Sequence, residues 1–316
     1  MIGHPQQHLG YGIYCIDAQY VKSGQACCYL LVDDGEVAII ETGTSHTVSA
    51  ISEALDSLGL TADAVRYVIP THVHLDHAGG AGLLMQRYPE ARLVVHPRGA
   101  RHLVDPAKLV AGVIAVYGES TYRSLYGELV AVPEDRIISA EDGLRLNLGG
   151  RTLEFRHTPG HAEHHCCIWD KVSGGWFTGD TFGLAYLTPA LGSDRFIMPT
   201  TTPVQFAPER LLSSLDLLMS YRPRRVYLTH YSLLDEPENY VMSLREQINV
   251  WCDMALSLEA GPERESTIYK RIKALTLTRI QAHWPDADMA MIEQDLDMDL
   301  ELNAQGLEVW LQRQQQ

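Results

Sequence analysis

The chain has 316 residues, of which 46% are hydrophobic and 21% charged, as in a globular protein with one large domain and a small appendage. Its formal net charge of −15 argues against general nucleic-acid binding, which requires a basic face. No apolar run approaches the length of a membrane span, and Met1 to Gly10 lacks the features of a signal peptide, so neither membrane association nor export is expected and the cytoplasm is the default location.

The beginning of the chain has the pattern of an antiparallel meander. Strands are predicted at 11–17, 26–32 and 37–41, and Asp33-Asp34-Gly35 is a hairpin signal between the last two. An amphipathic helix is predicted at about 47–58, a buried strand at 64–70 and a second helix at 78–88. Residues 71–77 are therefore expected to form a strand-to-helix loop, a place where sheet folds carry ligand sites.

This loop, Thr71-His-Val-His-Leu-Asp-His77, contains three imidazoles and one carboxylate. His72 and His74 lie two apart on extended backbone, so they project to one side and can bind a single ion. Asp76 and His77 follow where the chain turns and can face a second ion. Imidazole and carboxylate ligands suit zinc, iron or manganese. A single histidine in such a loop is usually only hydrogen-bonded, but four ligand-type side chains together predict a metal site.

The middle of the chain contains a predicted strand at 92–96 and then helical pieces over 97–126. The basic and aromatic residues of 97–126 are expected either to cover a site beside the metals or to be solvated. Strands predicted at 137–139, 144–146 and 152–157, separated by Asp-Gly and Gly-Gly turns, are interpreted as the start of a second β-rich half.

Three more candidate ligands each follow the end of a predicted strand: His161, Asp180 and His230. Any one of them is a weak signal, but together with the loop they make a set of seven ligands, the number that two adjacent ions sharing one carboxylate need. His164 and His165 are expected either to orient a ligand or substrate or to form structural hydrogen bonds.

Residues 181–200 are apolar, contain prolines and have no regular periodicity. The segment is predicted to form a wall of the substrate pocket, with core packing or a subunit contact as the alternative, and its candidate pocket residues are Phe182, Tyr186, Phe196 and Met198. Helices are predicted at about 207–220 and, after residue 235, at 240–258, 265–283, 288–300 and 305–310. The predicted domains are therefore 1–235 and 236–316. The six cysteines are expected to be reduced and mostly buried.

The loop motif, together with Thr158-Pro-Gly-His161, Phe177-Thr-Gly-Asp180 and Leu228-Thr-His230, resembles the metallo-β-lactamase-fold hydrolase superfamily over about residues 10–235. It looks nearest to the hydroxyacylglutathione-hydrolase-like branch. The resemblance implies an α/β protein, an αββα metallo-β-lactamase sandwich with a small C-terminal helical appendage. It also implies two divalent metal ions, zinc being favoured over iron or manganese: His72, His74 and His161 would bind one ion, Asp76, His77 and His230 the other, and Asp180 would bridge them.

The expected activity is hydrolysis of an ester-like bond by a metal-bridging hydroxide, with Asp76 and Asp180 as catalytic residues. The glutathione signature of the branch is absent after Asp180, and Gly183 stands where quorum-signal lactonases have tyrosine. The apolar segment 182–198 favours a thioester, ester or lactone. A phosphodiesterase, a mononuclear iron persulfide dioxygenase and a metal-stabilised binding protein without turnover are the alternatives. The expected partner is a small-molecule substrate, and homodimer formation stays open.

Overall fold

The computed structural model describes residues 6–201 and 204–315. Residues 1–5 lie outside the described residues. They belong to the segment Met1 to Gly10, in which no signal peptide is predicted.

The chain divides into two compact units. The first comprises Met1–His157, His164–Gly179 and Pro223–Asp235, and the second comprises Thr158–Glu163, Asp180–Arg222 and Glu236–Gln316. The division at residue 235 expected from the sequence stays a prediction.

The first unit contains a seven-stranded sheet whose strands follow one another in chain order. They are β1 (Gln7–Gly10), β2 (Ile13–Asp17), β3 (Cys27–Asp33), β4 (Glu36–Ile40), β5 (Val65–Ile69), β6 (Arg92–Val95) and β7 (Ile137–Ser139). Neighbours from β1 to β4 are antiparallel, which confirms the predicted meander, and Asp33 pairs with Glu36 across the predicted hairpin. From β4 to β7 the pairs are parallel, so their carboxyl ends share one edge of the sheet.

Helices make the connections that parallel pairing requires. They are α1 (Val48–Ser57), α2 (Leu75–Ala78), α3 (Ala81–Arg87), α4 (Pro97–Val104), α5 (Ala107–Tyr117) and α6 (Glu119–Tyr126). The core beneath them is apolar: Ile51 of α1, Leu84 of α3 and Ile39 of β4 are fully buried in one cluster. Burying side chains of this size stabilises the fold by roughly 1.5 to 3 kcal/mol each.

The second sheet of the first unit has six strands, in the order β13-β12-β11-β10-β9-β8. The strands are β8 (Arg145–Leu148), β9 (Arg151–His157), β10 (Cys166–Asp170), β11 (Gly175–Gly179), β12 (Arg225–Leu228) and β13 (Ser232–Asp235). All neighbours are antiparallel except β11 and β12. Tyr29 of the first sheet packs edge-on against Phe177 and Tyr227 of the second, with ring centroids 5.3 and 5.8 Å away. Buried aromatic rings therefore join the two sheets.

One strand belongs to a different sheet from the one predicted. Residues 137–139 were expected to open the second β-rich half, but β7 pairs in parallel with β6 in the first sheet. The helices α4, α5 and α6 form the crossover that returns the chain to this position. The second sheet begins only at Arg145, after the turn at Gly143.

The second unit is helical. It contains α7 (Pro208–Ser220), α8 (Glu238–Leu256), α9 (Arg264–His283) and α10 (Met289–Gln314). The predicted break between 300 and 305 is wrong, because α10 is continuous there. Asn303 is fully buried and accepts a hydrogen bond from the Thr201 hydroxyl at 2.8 Å, while its amide donates to the Asp299 carbonyl. Tertiary contacts thus hold a polar, glycine-containing stretch in the helix.

All six cysteines are free and buried, in agreement with the prediction. Burial raises the pKa of the Cys27 and Cys28 thiols well above their usual range. Burial also raises the pKa of Cys252, to about 12. Among the described helices, none is both long enough and apolar enough to cross a membrane.

Candidate metal centre

The seven predicted ligands are divided between the two compact units. His72, His74, Asp76, His77 and His230 belong to the first unit, and His161 and Asp180 belong to the second. His72 and His77 are fully buried, and the relative exposure of His161, Asp180 and His230 is 7% or less. Ionisable side chains are seldom this buried unless they are paired, hydrogen-bonded or bound to a metal.

The loop after β5 brings four of these side chains together. The rings of His72 and His74 lie 4.4 Å apart and those of His72 and His77 lie 4.0 Å apart, measured between centroids. His74 is the extended residue before α2, whereas Asp76 and His77 are inside α2. The predicted loop is therefore shorter than expected, because a helical turn begins at Leu75.

Asp76, His77 and His230 form a compact group of metal-ligand atoms, all within 4.8 Å of one another. The Nε2 atoms of His77 and His230 lie 3.4 and 3.3 Å from Oδ2 of Asp76. Two ligands on one tetrahedral zinc ion, each at about 2.1 Å, are separated by about 3.4 Å. The three side chains therefore have the donor chemistry and the spacing that a divalent ion requires.

Hydrogen bonds to the Nδ1 atoms of His77 and His230 determine which ring nitrogen faces the Asp76 carboxylate. Nδ1 of His77 lies 2.9 Å from Oε1 of Glu41, and Nδ1 of His230 lies 2.8 Å from the Gln25 carbonyl oxygen. Because a carboxylate and a carbonyl only accept, Nδ1 carries the proton in both rings. Nε2 is then the basic nitrogen and is turned towards Asp76, as in metal-binding histidines.

Glu41 is a functional candidate that the sequence interpretation missed. Its buried carboxylate accepts from the Thr71 amide and hydroxyl at 3.0 and 2.6 Å, from Nδ1 of His77 at 2.9 Å and from the Thr229 hydroxyl at 2.8 Å. Thr71 precedes His72 and Thr229 precedes His230. One carboxylate thus holds the ends of β4, β5 and β12 together beside the ligands. An acidic residue directly after the apolar strand β4 was the available signal.

His161 and Asp180 lie close together within the second unit, with Nε2 of His161 3.3 Å from Oδ2 of Asp180. Nδ1 of His161 lies 3.3 Å from the Thr200 carbonyl oxygen, and the Thr200 hydroxyl donates to the Asp180 carbonyl at 2.8 Å. The spacing of the Nε2 and Oδ2 atoms again equals that of two ligands on one ion. The turn before His161 depends on Gly160, which has φ of +137° and lacks room for a Cβ beside the Leu211 backbone.

The remaining candidates have mixed surroundings. His165 is fully buried and stacks on His72 at 4.8 Å, and His164 accepts a hydrogen bond from the Val73 amide at 3.4 Å. In the second unit Phe182 and Met198 are fully buried, the Tyr186 hydroxyl donates to Asp299 at 3.1 Å, and Phe196 meets Trp284 edge-on. These contacts describe core packing in that unit. The pocket role of the segment stays a prediction.

Comparison with known proteins identifies the family. The model of the metallo-beta-lactamase superfamily matches residues 22–230, which include all the predicted ligands. The chain belongs to this superfamily. It is 28% identical to the metallo-beta-lactamase fold-containing protein ST1585 of Sulfurisphaera tokodaii over 250 residues, covering 76% of this chain and 88% of that protein. The crystal structure of ST1585 superposes with a TM-score of 0.65, covering 95% of this chain and 99% of that one at 23% sequence identity.

Two further relatives are named for an enzymatic activity. Human acyl-coenzyme A thioesterase MBLAC2 is 30% identical over 193 residues, covering 56% of this chain and 66% of that protein. Hydroxyacylglutathione hydrolase of Aeromonas hydrophila is 24% identical over 251 residues, covering 77% and 80%. The predicted metallo-β-lactamase fold, with two sheets, helices and C-terminal helices, is confirmed. The chain is a metal-dependent hydrolase of this superfamily, as expected.

Proposed function

We propose that this chain hydrolyses acyl thioesters at a centre of two divalent metal ions, with zinc as the native metal. The observation that carries the proposal is the placement of Asp76 Oδ2 at 3.3 and 3.4 Å from the Nε2 atoms of His230 and His77. The ligands are the seven residues predicted from the sequence: His72, His74, Asp76, His77, His161, Asp180 and His230. Their order along the chain, within a span matched by the superfamily model, supports this assignment.

The substrate class is supported by the relatives and by the sequence. Acyl-coenzyme A and hydroxyacylglutathione, which appear in the relatives' names, are both thioesters. A thioester also agrees with the apolar character of the segment 182–198. Its carbonyl is more electrophilic than that of an ester, and its thiolate leaving group needs no protonation, so an activated water and a carbonyl-polarising centre suffice for hydrolysis.

The chain's own residues have distinct roles in this proposal. When bound, divalent ions supply a water of lowered pKa, towards about 7, and polarise the carbonyl oxygen that gains charge. Asp76 is placed to accept the proton of the attacking water and to return it. Asp180 is proposed to hold the two ions together. Glu41 keeps Nδ1 of His77 protonated, so that Nε2 stays available as a ligand.

The first test is metal quantification on purified protein, followed by a panel of thioesters, lactones and phosphodiesters on the same sample. We expect about two zinc ions per chain and turnover of thioesters. One iron per chain with oxygen uptake would indicate the persulfide dioxygenase instead. Bound metal without turnover of any panel member would support a binding protein.

The second test separates the catalytic carboxylates from acidic residues in general. Asp76→Asn and Asp180→Asn should each lower kcat by roughly 10²-fold or more while the circular dichroism spectrum is unchanged. Asp56→Asn, which changes an exposed carboxylate of α1, is the matched control and should keep full activity. Wild-type activity in either ligand variant would refute the roles given to these residues.

A further inference from the structure

A large open pocket lies in the first unit, outside the group of metal ligands. It has a volume of about 820 Å³ and is formed by α4, the start of α5, the segment before β7 and β7 itself. This volume is in the range of pockets that bind whole cofactors. It extends along β7, from Glu134 before the strand to Ser139 at its carboxyl end, and it includes Pro97 at the start of α4, which follows β6.

The charged residues of the pocket are of two kinds. Arg101 and Lys108 are exposed cations, and in the described part of the chain neither forms an ion pair with a carboxylate. Asp105 and Glu134 supply acceptor oxygens on the same walls, and Oδ1 of Asp105 also accepts a hydrogen bond from the Ala107 amide at 3.1 Å. Cations bind phosphate groups, whereas carboxylates accept hydrogen bonds from ribose hydroxyls and base amino groups. This mixture fits a nucleotide better than a simple anion.

The apolar part of the lining is consistent with the same ligand. Val104 and Ile137 are partly buried and contribute to the pocket walls. They offer a surface on which the flat face of a base or an aliphatic chain can lie. A small inorganic anion would leave this surface and most of the volume unused.

A row of imidazoles connects the pocket to the loop of metal ligands. His102 lines the pocket, and its ring centroid lies 6.2 Å from that of His164. The ring of His164 lies 5.8 Å from that of His74. The backbone of α4 is also close to this loop, since a Cβ on Gly99 would lie 2.9 Å from Cγ1 of Val73. The pocket is thus only two side chains away from a predicted ligand.

We propose that this pocket binds the nucleotide part of a coenzyme A thioester, with Arg101 and Lys108 contacting its phosphates. The inference rests on the proposed thioester hydrolysis and specifies the thiol carrier. The pantetheine arm would run from the pocket past His102 and His164 towards the loop at His74, so that the acyl thioester reaches the ligands while the nucleotide stays behind.

The experiment compares two substrates with the same acyl group, an acyl-coenzyme A and the corresponding acyl-pantetheine, which lacks the nucleotide. For the wild type we expect KM to be lower for the coenzyme A ester by roughly tenfold or more, since charge-assisted phosphate contacts are worth at least that factor. Arg101→Gln and Lys108→Gln should each raise KM for the coenzyme A ester, by roughly tenfold, with unchanged kcat. Both variants should leave the kinetics of acyl-pantetheine unchanged. Lys171→Gln, which removes an exposed cation at the turn between β10 and β11, is the control.

A binding measurement makes the test independent of turnover. Calorimetric titration with adenosine 3′,5′-bisphosphate should give binding to the wild type and to Lys171→Gln, and weaker binding to the Arg101 and Lys108 variants. Equal KM values for both substrates, or binding that these two substitutions do not weaken, would overturn the nucleotide site while leaving thioester hydrolysis intact. Absence of any thioester turnover together with pocket-dependent binding would refute the proposed function and retain the nucleotide site.

Discussion

The buried carboxylate of Glu41 accepts four hydrogen bonds. Each donor belongs to a predicted metal ligand or to the residue that precedes one. A carboxylate is suited to this position because it only accepts, and all four partners donate. Its backbone has a φ of +61°, which is uncommon for a residue with a side chain. The surrounding hydrogen bonds hold this conformation in place.

Replacement of Glu41 by Gln should therefore affect both stability and metal binding. The new amide group would direct donors towards donors, at a cost of about 2 kcal/mol in the free energy of unfolding. The affinity for metal should fall by roughly 10- to 100-fold, because His77 loses the acceptor that orients its ring. Urea unfolding of the metal-free protein and metal titration against a competing chelator measure the two effects.

Glu53→Gln, an exposed substitution on α1, is the control for loss of a carboxylate. Unchanged metal affinity in Glu41→Gln would show that His77 keeps its orientation without this hydrogen bond.

At the scale of elements, α4 packs so closely on the metal loop that one of its residues has no space for a side chain. A Cβ on Gly99 would lie 2.9 Å from Cγ1 of Val73 and 3.2 Å from Cγ2 of Val95. Val73 stands between His72 and His74. A displacement of Val73 would therefore also shift the backbone of two predicted ligands.

Two glycine-to-alanine substitutions in neighbouring helices should consequently have opposite effects. Gly112 of α5 has no atom within 4 Å of a would-be Cβ, so Gly112→Ala should stabilise the fold by about 0.5 to 1 kcal/mol through helix propensity. Gly99→Ala should destabilise it by about 1 to 2 kcal/mol, because overpacking outweighs that gain. Thermal unfolding measures both, and a stabilising Gly99→Ala would contradict the described packing of α4.

Most elements could be predicted because their signals are local. The hairpin at Asp34-Gly35, the strand before the metal loop and the helical stretch over 97–126 follow from turn residues and hydrophobic periodicity. The sheet to which β7 belongs could not be predicted, since its partner β6 lies about forty residues earlier and Ile-Ile-Ser has no pairing preference. The continuity of α10 at Asn303 depends on its contact with Thr201, which lies 102 residues earlier in the chain. Local sequence patterns do not indicate such a contact.

In the predicted site, too, the residues with local sequence signals could be predicted and those that depend on distant contacts could not. The seven ligand candidates could be named because each one stands at a strand end or in a dense motif. Glu41 could not, because its role depends on Thr71 and Thr229, which come together only in the folded chain. The nucleotide pocket likewise needs residues from 97–108 and 134–139, which periodicity alone does not place side by side.

At the scale of the whole molecule, a buried histidine makes the stability of folding depend on pH. Burial, then the neighbouring His157 and Arg98, lower the pKa of His96 to about 4. Its ring lies 4.0 Å from that of His157, and its Nδ1 accepts from the Arg98 amide at 3.0 Å. The folded state therefore keeps His96 neutral under conditions where the unfolded chain, with an ordinary histidine pKa near 6.5, already binds a proton.

The direction in which the free energy of unfolding changes with pH follows from this difference in pKa. Between pH 6.5 and about 4 the unfolded state binds more protons, so the free energy of unfolding falls as the pH falls, by about 2 kcal/mol at pH 4.5. In His96→Asn the asparagine can still cap α4, and this part of the pH dependence should disappear. Urea unfolding of chelator-treated protein at several pH values measures it. The exposed His283→Asn should retain the wild-type slope, and an identical slope in His96→Asn would exclude this origin.

The burial of all six cysteines has a practical consequence for the enzyme assay. Hydrolysis of a thioester liberates one free thiol per turnover, which a chromogenic disulfide reagent reports continuously. Native protein with no accessible sulfhydryl contributes no background to that signal and does not form mixed disulfides with the product. A cysteine engineered into an exposed position would, for the same reason, be the one reactive handle for a fluorophore.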